Sequence, residues 1–135
     1  MKIVIDNNIA LDALLGRPPF NESAERILIA CADSHIGCLS ANSLTDIYYV
    51  LRKSMDASSS KAAVLKIMGL LKIISISEED CFNAILLPID DFEDALVVVC
   101  GKKTGADCIV TRDEEFLKIK SGVPVISPGK LLKML

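Results

Sequence analysis

Lys2-Ile3-Val4-Ile5-Asp6-Asn7-Asn8-Ile9 is the stretch from which the fold is read. Three branched apolar residues in succession suit a strand buried on both faces, and such strands belong to parallel sheets covered by helices. The run stops on an acid, where the chain must turn. From Ile9 to Leu15 the pattern is helical, ended by Gly16 and the Pro18-Pro19 pair. The order is strand, acid, helix.

The same alternation continues outward from this unit. A helix from about Asn21 carries Ala24, Ile27, Leu28 and Cys31 at helical spacing, and Ile36–Leu39 reads as a second strand. Asn42 or Ser43 then caps a helix to about Arg52, with Leu44, Ile47, Tyr48 and Leu51 on one face. The Ser58-Ser59-Ser60 run starts another, carrying Ala62, Leu65, Met68 and Leu71, so 42–70 is expected as a helical hairpin beside the sheet. Lys72–Ile76 is strand-like, and Ser77 caps the next helix with Glu79 and Asp80 near its positive N-terminus. A helix over about Phe92–Thr104, a strand at Cys108–Thr111, a short helix at Glu114–Lys118, a strand at Val123–Ile126 and a helix from Pro128 to Met134 complete the chain. This pattern predicts an α/β fold of three layers, a central parallel sheet of about five strands flanked by helices.

At 135 residues the sequence predicts one domain, 1–135, able to bury a core without disulfides. Five widely spaced cysteines with no C-x-x-C pair read as reduced core residues of a cytoplasmic protein. His35 is the only histidine and reads as structural, so zinc is not expected. No apolar run approaches the roughly 18 residues of a membrane span, and Met1-Lys2-Ile3 does not open a signal peptide. A net charge of −3 argues against a protein that coats nucleic acid through bulk charge, without excluding a nuclease. With no G-x-x-x-x-G-K and no G-x-G-x-x-G, nucleotide binding of the P-loop or Rossmann kind is disfavoured.

Five acids draw attention, Asp6, Asp46, Asp91, Asp94 and Asp113, and most of them stand where a strand ends or a helix begins. The carboxyl ends of parallel strands share one edge, where ligands bind in open sheets. Carboxylates gathered there repel one another, and a hard divalent cation relieves that repulsion. Each acid also has a structural reading as an Asx turn or helix cap, and Asp91-x-x-Asp94 suits a capping box. Singly these signals are weak. Ala95-Leu96-Val97-Val98-Val99-Cys100 strengthens them, because a helix buried nearly all round places Asp94 at the rim of the core, where a lone charge is costly.

Four segments resemble the PIN-domain family, and within it the VapC-type toxin nucleases. They are Ile3 to Asn8, Ser40 to Arg52, Asp91 to Leu96 and Gly105 to Asp113, in family order across most of the chain. The resemblance implies a ribonuclease dependent on Mg²⁺ or Mn²⁺, with Asp6, Asp94 and Asp113 matching the family's metal-binding acids. Asp46 falls where the family most often has Glu, one methylene longer. Asp91 is an additional acid of the Asp-Phe-Glu-Asp variant, a metal ligand or only a cap. Asn8 fits the family's D-x-N pattern, and Thr111 implies a hydrogen-bonding residue that orients an acid or water. Arg112 and Arg17 are candidate RNA-phosphate contacts. The resemblance further implies a homodimer paired with an antitoxin, and the apolar face of Ile47-Tyr48-Tyr49-Val50-Leu51 is compatible with an interface. The functional expectation is a metal-dependent endoribonuclease hydrolysing RNA phosphodiester bonds, the toxin of a toxin–antitoxin pair. The alternative is a PIN-like domain with a weakened metal site that binds RNA or protein without cutting.

Overall fold

The computed structural model describes residues 1–135. Five parallel strands form one sheet: β1 (Lys2–Ile5), β2 (Ile36–Ser40), β3 (Lys72–Ile74), β4 (Cys108–Val110) and β5 (Val125–Ile126). Eight helices connect and follow them: α1 (Asn7–Leu15), α2 (Asn21–Asp33), α3 (Ala41–Leu51), α4 (Ala57–Leu70), α5 (Glu78–Ile85), α6 (Phe92–Thr104), α7 (Glu114–Leu117) and α8 (Pro128–Met134).

Side-chain alternation along the strands builds a core on each face. Ile3, Ile5, Leu39, Cys108 and Val110 enter one apolar layer with α1, α2, α3 and α4. Val4, Cys38 and Ile109 enter the opposite layer with Val97, Val98 and Cys100 of α6. Beyond α6, Ala95, Leu96 and Val99 pack against Ala84 of α5, so α6 is buried from Ala95 to Gly101. That is the all-round burial its sequence predicts. In β2 the backbone at Gly37 runs so close to its neighbours that a Cβ there would stand 2.5 Å from Leu71 and 2.8 Å from Cys31 Sγ.

The strand order β3-β2-β1-β4-β5 positions the site. The chain builds outward from β1 through β2 to β3, then returns to lay β4 on the other side of β1. A crevice opens between strands where the direction reverses, at their carboxyl ends. Here that is the gap beyond Ile5 and Val110, register partners in β1 and β4. The next residues in each strand direction are Asp6 and Thr111.

Several sequence expectations shift. On α4, Leu65 and Met68 are exposed, whereas Ser60, Ile67 and the following Leu71 are buried. The i,i+3 ladder through Ala62 follows a stripe that drifts off the packed face, because 3.6 residues per turn demand mixed steps of three and four. Asp56, not the serine run, caps this helix by accepting from Ser59 N–H. Helix α3 starts at Ala41, before Asn42 and Ser43, and Asn21 is the first residue of α2, not its cap. The strands β3 and β5 are shorter than expected, β5 beginning only after Pro124, which has no N–H for a sheet bond. Ser77 and Asp80 form a reciprocal capping box. The five cysteines are free thiols, and His35 Nδ1 lies 3.0 Å from the N-terminal amine. No helix is long and apolar enough to cross a membrane.

Candidate active site

Asp6 holds the centre of the crevice. It is the N-cap of α1, and its Oδ1 accepts from Asn7 N–H at 2.9 Å. Its Oδ2 accepts from the Thr111 hydroxyl at 2.7 Å and from Asn8 Nδ2 at 3.2 Å. Thr111 is fully buried and acts as a hub, also accepting from Asn8 Nδ2 and from Asp113 N–H, both at 3.1 Å. Asn8 Oδ1 accepts the Arg112 N–H at 3.4 Å. The ends of β1 and β4 are thus tied together by polar side chains, and the first carboxylate is fixed from two sides.

The other acids arrive on helix N-termini. Asp91 caps α6 by accepting from Asp94 N–H at 3.0 Å, and Asp113 caps α7 by accepting from Glu115 N–H at 3.0 Å. Capping and site membership are therefore compatible readings. A cap occupies one carboxylate oxygen and leaves the second for the crevice, while the helix dipole favours negative charge at that end. Asp46, from the middle of α3, accepts from Asn7 Nδ2 at 3.4 Å.

Electrostatics shows that these acids form one group. Burial pushes the Asp94 carboxyl up to about 7, reinforced by the charges of Asp91, Asp6, Asp113 and Glu93. Burial also raises Asp6, against the lowering effect of its Thr111 and Asn7 hydrogen bonds. Glu93 is raised by burial and then by the neighbouring charge of Asp46. Sequence reasoning passed over Glu93 as part of a capping run. Its only signal was its place between Asp91 and Asp94 at the N-terminus of a buried helix.

A hard cation fits this donor set. The donors are all oxygens, the acids oppose one another's ionisation, and Asn7 Oδ1 is a buried oxygen with no hydrogen-bond partner. No three acids stand at the spacing of an all-protein ligand shell. A cation held here would take only one or two carboxylates from the protein and keep part of its own hydration. Asp6, Asp94 and Asp113 are the residues that would hold it, with Asp91 beside them.

The raised acids set a pH dependence for the metal-free protein. Asp94 binds its proton more tightly folded than unfolded, where its ordinary value is 3.8. Its contribution to stability is full below about pH 4 and lost as pH rises through about 7. Asp6 and Glu93 act in the same direction. Thermal melts in EDTA are expected to show a lower Tm at pH 8 than at pH 5.5, with Mg²⁺ closing most of the gap. A Tm that rises over that interval without metal would contradict the clustering of these acids.

Arg17 and Arg112 are both engaged by Asp12, a residue the sequence did not single out. Asp12 is 0% exposed; it accepts from Arg17 Nε at 2.9 Å, from Arg112 Nε at 2.6 Å and from Arg112 Nη2 at 3.0 Å. Its signal was faint: an acid one turn after Ile9 in a short helix that offers few polar neighbours. On the far side of α1, an apolar groove of about 600 Å³ between α1, α2 and α4 contains Leu14, Leu28, Ile67 and Leu70 and none of the site acids.

The PIN-domain family model matches residues 2–115, a span that includes every acid described. The chain belongs to the PIN-domain family. No curated protein matches it by sequence. Among solved structures, VapBC2 from Rickettsia felis, bound to a DNA fragment from its promoter, is similar over 94% of this PIN-domain chain and 98% of that one, with TM-score 0.74 and 20% identity. VapC20 of Mycobacterium tuberculosis, a sarcin–ricin loop cleaving toxin, matches over 84% of this chain and 92% of its own, with TM-score 0.70 and 15% identity. PAE2754 from Pyrobaculum aerophilum matches over 99% and 88%, with TM-score 0.62 and 18% identity. At these identities the likeness shows a shared PIN fold.

Proposed function

We propose that this PIN-domain protein is a divalent-metal-dependent endoribonuclease and the toxin of a toxin–antitoxin pair. The observation that carries the reading is the gathering of four acids at the β1/β4 crevice, where burial and the charges of Asp91 and Asp113 raise the carboxyls of Asp94 and Asp6. Acids brought together against their own repulsion, with one oxygen each of Asp91 and Asp113 left open by their caps, have the chemistry of a cation site rather than of stabilising ion pairs. A bound Mg²⁺ or Mn²⁺ would supply Lewis acidity and a water of lowered pKa for phosphodiester hydrolysis. Thr111 and Asn8 keep the Asp6 carboxylate in one orientation. Asp94, with a proton that leaves near neutrality, is poised to exchange it for a cation. Asp46, shared with Asn7 and Glu93, places further negative charge on the opposite wall.

The toxin role draws support from the fold likeness to toxins of VapBC complexes. An antitoxin is the proposed protein partner, and the apolar groove between α1, α2 and α4 offers such a partner a surface of suitable chemistry. A homodimer is proposed as well. On α3, Ile47 and Leu51 are committed to the core, which leaves Tyr49 as the exposed part of the face considered for an interface.

The test is cleavage of a single-stranded RNA by purified protein in Mg²⁺ or Mn²⁺, with EDTA expected to abolish it and Mn²⁺ to restore it. Cleavage that persists in EDTA would remove the metal from the proposal. RNA retention without cleavage in Mn²⁺ would favour the binding-only reading, for which the engagement of Asp46 by Asn7 and Glu93 is the supporting observation.

A further inference from the structure

Beside the acid cluster lies a second constructed feature, the charge network around Asp12. Two guanidiniums surround one buried carboxylate, so the network carries a net positive charge within a chain of net charge −3. Neither arginine is spent on this contact. Arg17 bonds through Nε alone, and Arg112 through Nε and Nη2, so three terminal nitrogens remain for another acceptor. About a third of each arginine side chain is exposed. The Arg112 guanidinium also lies over the Phe20 ring, 4.0 Å from its centroid, and Phe20 is 42% exposed. Arg112 itself sits between Thr111 and Asp113, which places the network on the rim of the crevice.

We propose that Phe20, Arg112 and Arg17 form a nucleotide subsite for a single-stranded nucleic acid. An unpaired base stacks on Phe20, and its phosphate meets the guanidinium edges that Asp12 holds in place. The location rests on the nuclease reading, since the strand must continue from this subsite to the acids. The physical grounds are independent of cleavage. A cluster of carboxylates repels a polyanion, so the strand needs a cationic foothold close by. Guanidiniums oriented by a buried carboxylate lose little freedom on meeting a phosphate, and their planar fork suits its oxygens. An exposed aromatic ring stacks on any base and discriminates against duplexes, whose bases are already stacked. Phe20 with Arg112 behind it would extend such a stack by one cation–π contact.

The chain contains no Trp, so Phe20→Trp introduces a single tryptophan, selectively excited beside the two tyrosines, at the stacking position. Titration in EDTA at low salt, where no cleavage occurs and phosphate contacts are strongest, is expected to quench its emission with a single-stranded RNA octamer and not with an RNA duplex. Phe20→Leu is expected to weaken octamer binding about tenfold, within the range for loss of one stacked base. Phe20→Tyr should bind as the native protein does. Melts of all three variants report on folding, and Phe20→Leu is compared with Phe20→Tyr so that a merely structural role, which both would disturb, is told apart. Unquenched emission while fluorescence anisotropy reports octamer binding overturns the proposal, as does native affinity in Phe20→Leu. Quenching without cleavage in Mn²⁺ would sink the nuclease reading and leave the subsite standing. Cleavage without quenching would do the reverse.

Discussion

Asp94→Asn is expected to reduce metal-dependent RNA cleavage by at least about 10²–10³-fold, the range for losing one group directed at transition-state charge. In the same variant the metal-free protein is expected to become more stable at pH 8. The two effects have one cause. Asp94 lies at the N-terminus of a helix whose next seven residues are buried, next to its cap Asp91 and within reach of the charges of Asp6 and Asp113. Its ionised form is opposed by burial and by every neighbour. An amide of the same shape escapes that opposition but offers a cation no charge. Discounted for the solvent that reaches a half-buried carboxyl, the gain is about 1 kcal/mol, or a Tm increase of roughly 2–4 °C. At pH 5 the difference should be smaller, because the folded carboxyl keeps its proton and the unfolded one has gained only part of the advantage of ionising. Paired activity assays and EDTA melts at pH 5 and 8 check both halves. A variant that loses activity while melting lower at pH 8 would mean that Asp94 is structural.

This opposition between stability and function is the one expected of the proposed cation site. The caps illustrate how the fold tolerates it. Asp6, Asp91 and Asp113 each use one oxygen to satisfy a helix N–H. The favourable cap and helix dipole offset part of the repulsion; the second oxygen of Asp91 and of Asp113 remains open, while that of Asp6 is shared with Thr111 and Asn8.

Much of the architecture was legible because its determinants are local. Ile3-Val4-Ile5 and Cys108-Ile109-Val110 are continuous apolar runs, and the unbroken Ala95–Cys100 segment announced a helix enclosed on all sides. Asp6 and Asp113 were legible because they follow such runs, and Asp91 and Asp94 because they open one. What escaped was set by side-chain direction rather than by pattern. Asp12 is one acid in a short helix, and only the tertiary placement of Arg17 and Arg112 shows that it points inward. Glu93 read as helix-end charge, because its partner Asp46 is distant in sequence. On α4 the exposed Leu65 and Met68 imitate a core stripe that Ile67 and Leu71 provide. Apolar residues on a surface helix defeat periodicity, since a face is recognised only when the others are polar.

Arg112→Ala is expected to destabilise the protein by about 3–5 kcal/mol, the range for breaking a buried ion pair by removing one partner. Asp12 is fully buried and has three hydrogen bonds to the two arginines, and Arg112 supplies two of them, including the shortest. Without it a desolvated carboxylate keeps one bond from a partly exposed Arg17. Arg17→Ala removes one bond and is expected to cost less. The decisive measurement is a double-mutant cycle by urea denaturation. If the penalty comes from the stranded Asp12 charge, Arg112→Ala should be much milder in an Asp12→Asn background, because the amide leaves no charge behind. A coupling energy above about 1.5 kcal/mol, within the span seen for contacting residues, is expected. Additive losses would instead trace the penalty to the lost packing of Arg112 on Phe20. The same cycle bears on the site, because the Arg112 N–H is bonded to Asn8 and the next residue is Asp113. A network that anchors this backbone should hold the Asp113 carboxylate in register with Asp6, so the stability lost in Arg112→Ala should be accompanied by weaker metal binding.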